Sequence, residues 1–171
     1  MPNDDVLIRP GMADDIPALT AIFNYYIEHS HARFTTEPMT LDSCRTWFGG
    51  YGAGRYRLLV AQDASGLLGA AYSSRYRPSS AFDTTVETSI YMDPSRRRGG
   101  IGTRLYGALL ALLEQEDVHL AVAGVAQPNE ASNALHRRLG FGEVGTFKDY
   151  ARKRGAWISS TWFQRRIGCD A

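Results

Sequence analysis

Residues 84–113 restrict the fold more than any other stretch. In TTVETSIYM, Val86, Thr88, Ile90 and Met92 share one parity, and Thr85, Glu87, Ser89 and Tyr91 share the other, as a strand requires. DPSRRRGGIG follows, and then Leu105, Leu109, Leu112 and Leu113 form the apolar side of a helix that starts at about Gly102 or Thr103 and ends near Asp117. A strand, a glycine-rich loop and a helix therefore stand in the middle of the chain. The first amides of a helix lack internal partners and bind anions at the positive end of the helix dipole. Gly99, Gly100 and Gly102 carry no side chain to hold a phosphate off the backbone, and Arg97 and Arg98 offer donors to its oxygens. The same residues also suit a plain turn into a helix with exposed arginines. The loop lacks the Gly-Lys-Ser/Thr ending of a Walker loop, and its spacing is not that of a dinucleotide fingerprint.

Around this unit the pattern alternates. A short strand is expected at residues 6–9. A helix follows from the spacing of Ile16, Leu19, Ile22, Phe23, Tyr26 and Ile27, with Asp14 and Asp15 at its start. A second helix is expected at 40–48, and a hairpin at 57–62 and 67–75 joined at Ala64-Ser65-Gly66. Residues 78–83 read as a loop. The almost wholly apolar run 120–125 reads as a central strand, 131–139 as a helix closed by Gly140, and 144–150 and 157–165 as final strands. This predicts one mixed α/β domain over residues 1–171.

Composition narrows the function. A net charge of +1 gives no broad basic field, so nucleic-acid binding through Arg96, Arg97 and Arg98 is disfavoured. No apolar run is long enough to span a bilayer, and residues 1–10 do not read as a signal peptide. Cys44 and Cys169 form no pairing or metal-ligand pattern, which predicts reduced thiols in a cytoplasmic protein with no metal.

Two strings together carry a family resemblance. Arg97-Arg98-Gly99-Gly100-Ile101-Gly102 resembles the Gln/Arg-x-x-Gly-x-Gly/Ala signature of the GNAT N-acetyltransferases, whose loop binds the pyrophosphate of acetyl-coenzyme A. NEASNALHRRLGF at 129–141 resembles their Asn-x-x-Ser/Ala helix. FTTEP at 34–38, TVETSIYMDPSRRRGGIG at 85–102, VGTFKDYARKRGAW at 144–157 and STWFQR at 160–165 are similar to the phosphinothricin N-acetyltransferase branch.

The resemblance implies a mostly antiparallel sheet flanked by helices, with two parallel strands splayed apart to admit acetyl-CoA (acetyl-coenzyme A). It implies cofactor contacts from Ile90, Tyr91, Met92, Arg97, Arg98, Gly99, Gly100, Ile101, Gly102, Thr103, Asn129 and Ser132. It makes Glu87 the general base, and it puts His136 where many members carry a tyrosine proposed as general acid; since no cysteine stands in a nucleophile setting, direct attack in a ternary complex is the simpler expectation. A solvent-facing carboxylate and a packed helix histidine are the plainer readings of those two residues. Phe34, Arg77 and Phe82 would border a small-molecule amine acceptor. Phe82 stands where the branch usually has tyrosine, Thr35 and Ser79 where arginines occur, and Ser159 where aspartate is common. Basic residues 148–154 read either as a solvated turn or as a lid over the acceptor. A homodimer is implied by the branch. The expected activity is N-acetylation of a small amino acid or analogue. Acetylation of a protein N-terminus, a polyamine or an antibiotic, or simple acetyl-CoA binding, are the alternatives.

Overall fold

The computed structural model describes residues 5–96 and 98–168. Arg97 and Cys169 lie outside the described residues. In chain order the elements are β1 (Leu7–Pro10), a 3-10 turn (Ala13–Asp15), α1 (Ile16–His29), α2 (Leu41–Phe48), β2 (Leu58–Asp63) and β3 (Gly66–Arg75). A second 3-10 turn (Ser80–Phe82) precedes β4 (Thr85–Met92), α3 (Ile101–Leu113), β5 (Leu120–Ala126), α4 (Glu130–Arg138), β6 (Gly142–Lys153) and β7 (Ala156–Arg166). The expected elements are all present, and the 78–83 loop contains that second turn.

One seven-stranded sheet runs in the order β1-β2-β3-β4-β5-β7-β6. The β4–β5 pair is parallel and the other pairs are antiparallel. Helices cover both faces. On one face Val86 packs with Leu105, Tyr106, Leu109 and Phe163, and Ile90 and Met92 lie against this cluster. On the other, Tyr72 packs with Leu19, Phe23 and Cys44, with Tyr91 and Trp47 alongside. The parity of β4 thus sends Thr88 toward α3 and Glu87 toward the α1–α2 side. Full burial of each large side chain here stabilises the fold by roughly 1.5–3 kcal/mol.

Local chemistry fixes the elements. Thr40 caps α2 by accepting from the Ser43 amide at 3.1 Å. Gly100 begins α3 at φ +82°, a backbone state that costs an L-residue energy. Asp15 is buried and holds Arg9 of β1 at 2.7 and 2.8 Å through both its oxygens. Strand β6 extends past the expected 144–150 in both directions. Its register is interrupted twice and most of its side chains are exposed, so an apolar-pattern reading sees only part of it. No helix among the described residues is long and apolar enough to cross a membrane.

Candidate active site

The site begins where two strands part. β4 and β5 pair only at Thr85–Leu120, Val86–Ala121 and Glu87–Val122. Beyond that point β4 stays paired to β3 as far as Met92, and β5 stays paired to β7 as far as Ala126. Each strand therefore turns a backbone edge toward a gap between them. The gap opens into a cleft of about 380 Å³, walled by Ser89, Ile90, Tyr91 and Met92 on one side and by Ala123 to Ala126 on the other. An extended chain with amide groups fits such a slot, because both edges offer backbone donors and acceptors that the sheet leaves over.

At the wide end stands the glycine loop. Gly102 and Arg98 line the cleft. Nothing lies within 4 Å of where a Cβ on Gly99 would sit. Ile101 is fully buried in the core, so its side chain is packing and only its backbone faces the loop. Arg96 is half-buried and turned toward acceptors of the fold itself. It donates to the Leu67 carbonyl at 3.0 Å and pairs with Asp63 at 2.5 Å. Arg98 also pairs with Asp63, at 3.0 Å, and with Asp5. The Arg96 hydrogen bond, with help from the Ser65 amide, holds the Asp63 carboxyl below the usual carboxylate range.

Helix α4 closes the opposite wall with Asn129, Ser132, Leu135 and His136. Asn129 caps it by accepting from the Ser132 amide at 3.2 Å. His136 is buried and stacks on Phe163. Its Nδ1 lies 2.7 Å from the Ser132 carbonyl, which can only accept, so Nδ1 carries the proton. Burial pushes its pKa down, opposed by that same bond, and the ring is neutral near pH 7. Nε2 is then an acceptor facing the Tyr106 hydroxyl at 3.3 Å, and Tyr106 lies 2.6 Å from Thr88 Oγ1. Thr88 in turn reaches the Val122 carbonyl at 3.3 Å. This buried chain ties α4, α3, β4 and β5 together at the point where the strands separate.

Glu87 sits at that same point on the other face of β4, half-buried and opposite Ser74 of β3. Burial raises its pKa, and the charge of Arg77 opposes the rise. Among the described residues none donates a hydrogen bond to it. Phe34, Arg77 and Phe82 are not cleft walls. Phe34 packs on Tyr150, and Arg77 lies over the rings of Tyr76 and Phe82. Thr103 lies in the first turn of α3, behind the loop.

The structure thus brings Ile90, Tyr91, Met92, Arg98, Gly102, Asn129, Ser132 and His136 to one cleft, whereas Glu87, Gly99, Gly100, Ile101 and Thr103 do not line it, and Glu87 sits at the last β4–β5 pair, where the cleft begins. Sequence reasoning missed Thr88 and Tyr106. A hydroxyl at position 106, inside an otherwise aliphatic helix face, was the available signal. It also missed Tyr26, whose hydroxyl donates to the Met92 carbonyl at 2.7 Å.

Comparison with known proteins agrees with this geometry. The acetyltransferase (GNAT) family profile matches residues 19–141. The chain is 43% identical to a phosphinothricin N-acetyltransferase of Streptomyces coelicolor, over 95% of this chain and 97% of that one. It is 35% identical to an L-methionine sulfoximine/L-methionine sulfone acetyltransferase of Pseudomonas paraeruginosa, over 94% of each. A crystal structure of a phosphinothricin acetyltransferase from Sinorhizobium meliloti in complex with acetyl-CoA superposes with a TM-score of 0.90 at 29% identity, covering 96% of this chain and 89% of that one. A parted strand pair beside a glycine loop, and a sequence match across nearly the whole chain, lead to one conclusion: this protein belongs to the GNAT acetyltransferase family.

Proposed function

We propose that this protein transfers an acetyl group from acetyl-CoA to the α-amino group of a small amino-acid-like acceptor of the phosphinothricin, methionine sulfoximine or methionine sulfone type. The observation that carries the reading is the cleft apex, where a half-buried carboxylate with a raised pKa meets a slot suited to an extended thioester. Acetyl-CoA, when bound, supplies the acetyl thioester.

The chain's own residues do the rest. The edges of 88–92 and 123–126 hold the arm, with Asn129 and Ser132 on the α4 side. The first-turn amides of α3, with Gly99, Gly100 and Thr103 nearby and Arg98 beside them, hold the pyrophosphate. The Ile90 amide orients the thioester oxygen. Glu87 takes one proton from the acceptor ammonium, directly or through one water, so that within a ternary complex the neutral amine would form the C–N bond as the C–S bond breaks, the second nitrogen proton passing to the departing thiolate. A pKa raised by burial makes it a stronger base than an exposed carboxylate. Phe34, Arg77 and Phe82 border the acceptor, and Arg77 suits a carboxylate.

His136, proton-bound at Nδ1 and facing Tyr106 through Nε2, holds the wall. Giving a proton to the departing sulfur would require an imidazolium, which its burial opposes. Pairing of two copies through the β6–β7 hairpin is supported by the exposed Val144, Phe147, Tyr150 and Trp157.

The test is an acetylation screen over phosphinothricin, methionine sulfoximine, methionine sulfone, a polyamine and a free peptide N-terminus. Acetylation of the first three is expected. Transfer only to the polyamine or peptide would replace the acceptor class, and coenzyme binding with no transfer at all would leave a binding module.

A further inference from the structure

Lys153 is a buried cation with an unusual set of partners. It ends β6, just before the two-residue turn Arg154-Gly155, where φ is +51° and +78°. Positive φ at both turn residues is the geometry of a type I′ hairpin, which fixes the direction in which the last strand residue points. Here it points inward, and Lys153 is 5% exposed. Its ammonium donates to three carbonyl oxygens: Arg33 at 2.7 Å, Ser30 at 2.9 Å and Tyr26 at 3.4 Å. An ammonium has three donors, so these bonds use its full capacity. Arg154 adds a bond to the Ile27 carbonyl at 2.9 Å. The Tyr26 and Ile27 carbonyls lie in the last turn of α1, at the negative end of its dipole, and those of Ser30 and Arg33 lie just beyond it, a setting that favours a cation.

These carbonyls belong to the end of α1 and the loop that follows it. Ala32 of that loop lines the cleft, and its carbonyl accepts from the Tyr91 hydroxyl at 3.4 Å. Arg33 lies over the Phe23 and Tyr91 rings, and Phe34 packs on Tyr150 of β6. His31 meets the Pro128 carbonyl at 2.9 Å across the cleft. Residues 30–34 therefore pack beside Tyr91 on the face of β4 that carries Glu87, and Ala32 brings them to the cleft. We propose that Lys153 is a positioning residue for the acceptor: it pins residues 30–34 against the β6–β7 hairpin and so fixes the acceptor wall, leaving the coenzyme end of the cleft unaffected. This rests on the acetyltransferase reading above.

The experiment compares wild type, K153M and K153R. It reads hydrogen exchange over residues 29–39 without ligand, the KM for methionine sulfone, and the Kd for acetyl-CoA by calorimetry. In K153M, loop exchange accelerates, the acceptor KM rises about tenfold or more, and the coenzyme Kd stays within about twofold, since misplacing a reactant by an ångström has effects of that order. K153R recovers part of the loss. Unchanged loop exchange in K153M, an unchanged acceptor KM, or equal damage to acceptor and coenzyme binding would each overturn the proposal. If K153M does not fold, R154A decides on the same readouts, with a smaller effect of the same sign expected and no effect overturning it. A wild-type protein that acetylates no acceptor defeats the acetyltransferase reading instead, and loop exchange then decides the Lys153 contact alone.

Discussion

His136 gives its Nδ1 proton to the carbonyl of Ser132, one turn earlier on the same helix and 2.7 Å away. That bond selects the tautomer, and the tautomer makes Nε2 a lone pair aimed at Tyr106. His136 should therefore titrate below the ordinary histidine value of about 6.5, as burial requires. Nitrogen chemical shifts of the ring should report a neutral, Nδ1-protonated imidazole at pH 7. Y106F leaves Nε2 and Thr88 without the phenol, and should cost about 1–3 kcal/mol in denaturant unfolding. An Nε2-protonated ring in wild type would contradict the assignment.

Glu87→Gln keeps the size of the side chain and removes the base. Turnover should fall by about 10²–10⁴, with the acetyl-CoA Kd nearly unchanged. Wild-type turnover at every pH would remove Glu87 from the mechanism.

The charge of Arg77 lowers the Glu87 pKa against burial, so removing it has a definite sign. In R77Q the Glu87 pKa rises, and the acid limb of kcat/KM moves to higher pH. A limb that stays in place, or moves lower, would separate the two residues.

Gly69 stands where β3 and β4 approach closely. A Cβ there would meet Met92 Sδ at 2.6 Å and the Tyr91 carbonyl at 2.8 Å, and the second of these is backbone. Gly69→Ala should lower stability by about 1–3 kcal/mol and weaken coenzyme binding by displacing residues 91 and 92. Gly102→Ala meets its nearest atoms at 3.8 Å and should leave stability nearly unchanged. The pair is read by thermal melting with and without acetyl-CoA.

Acid sensitivity follows from Asp15 and Asp63. Burial raises the Asp15 pKa, but the Arg9 hydrogen bond, the Met12 amide and the Arg9 charge together outweigh it. Both carboxyls are held below their unfolded value of about 3.9, so the stability they add is present above that pH and is lost as pH falls through their folded values. D15N should flatten the acid limb of a stability–pH curve. An unchanged slope would show the Arg9 pair to be neutral in energy.

Legibility in the sequence followed repetition and locality. The parity of β4 and the helical spacing after the loop are patterns of a few neighbouring residues, and the structure repeats them. Lys153 is different. Its partners lie 120 to 127 positions away, and a lysine among basic neighbours carries no sign that it is buried. Arg96 misleads for the same reason: its binding to Asp63 and Leu67 depends on where the β2–β3 hairpin lands. Glu87 was placed on the right face by alternation, but its burial comes from tertiary packing.

The three-pair seam between β4 and β5 has a mechanical meaning. It makes the sheet two stiff plates, β1 to β4 and β5 to β7, joined along a short hinge line. A chain laid in the gap supplies the rungs that the seam lacks. Acetyl-CoA should therefore act as a brace, and its protection should reach both plates at once, out to strands it never touches.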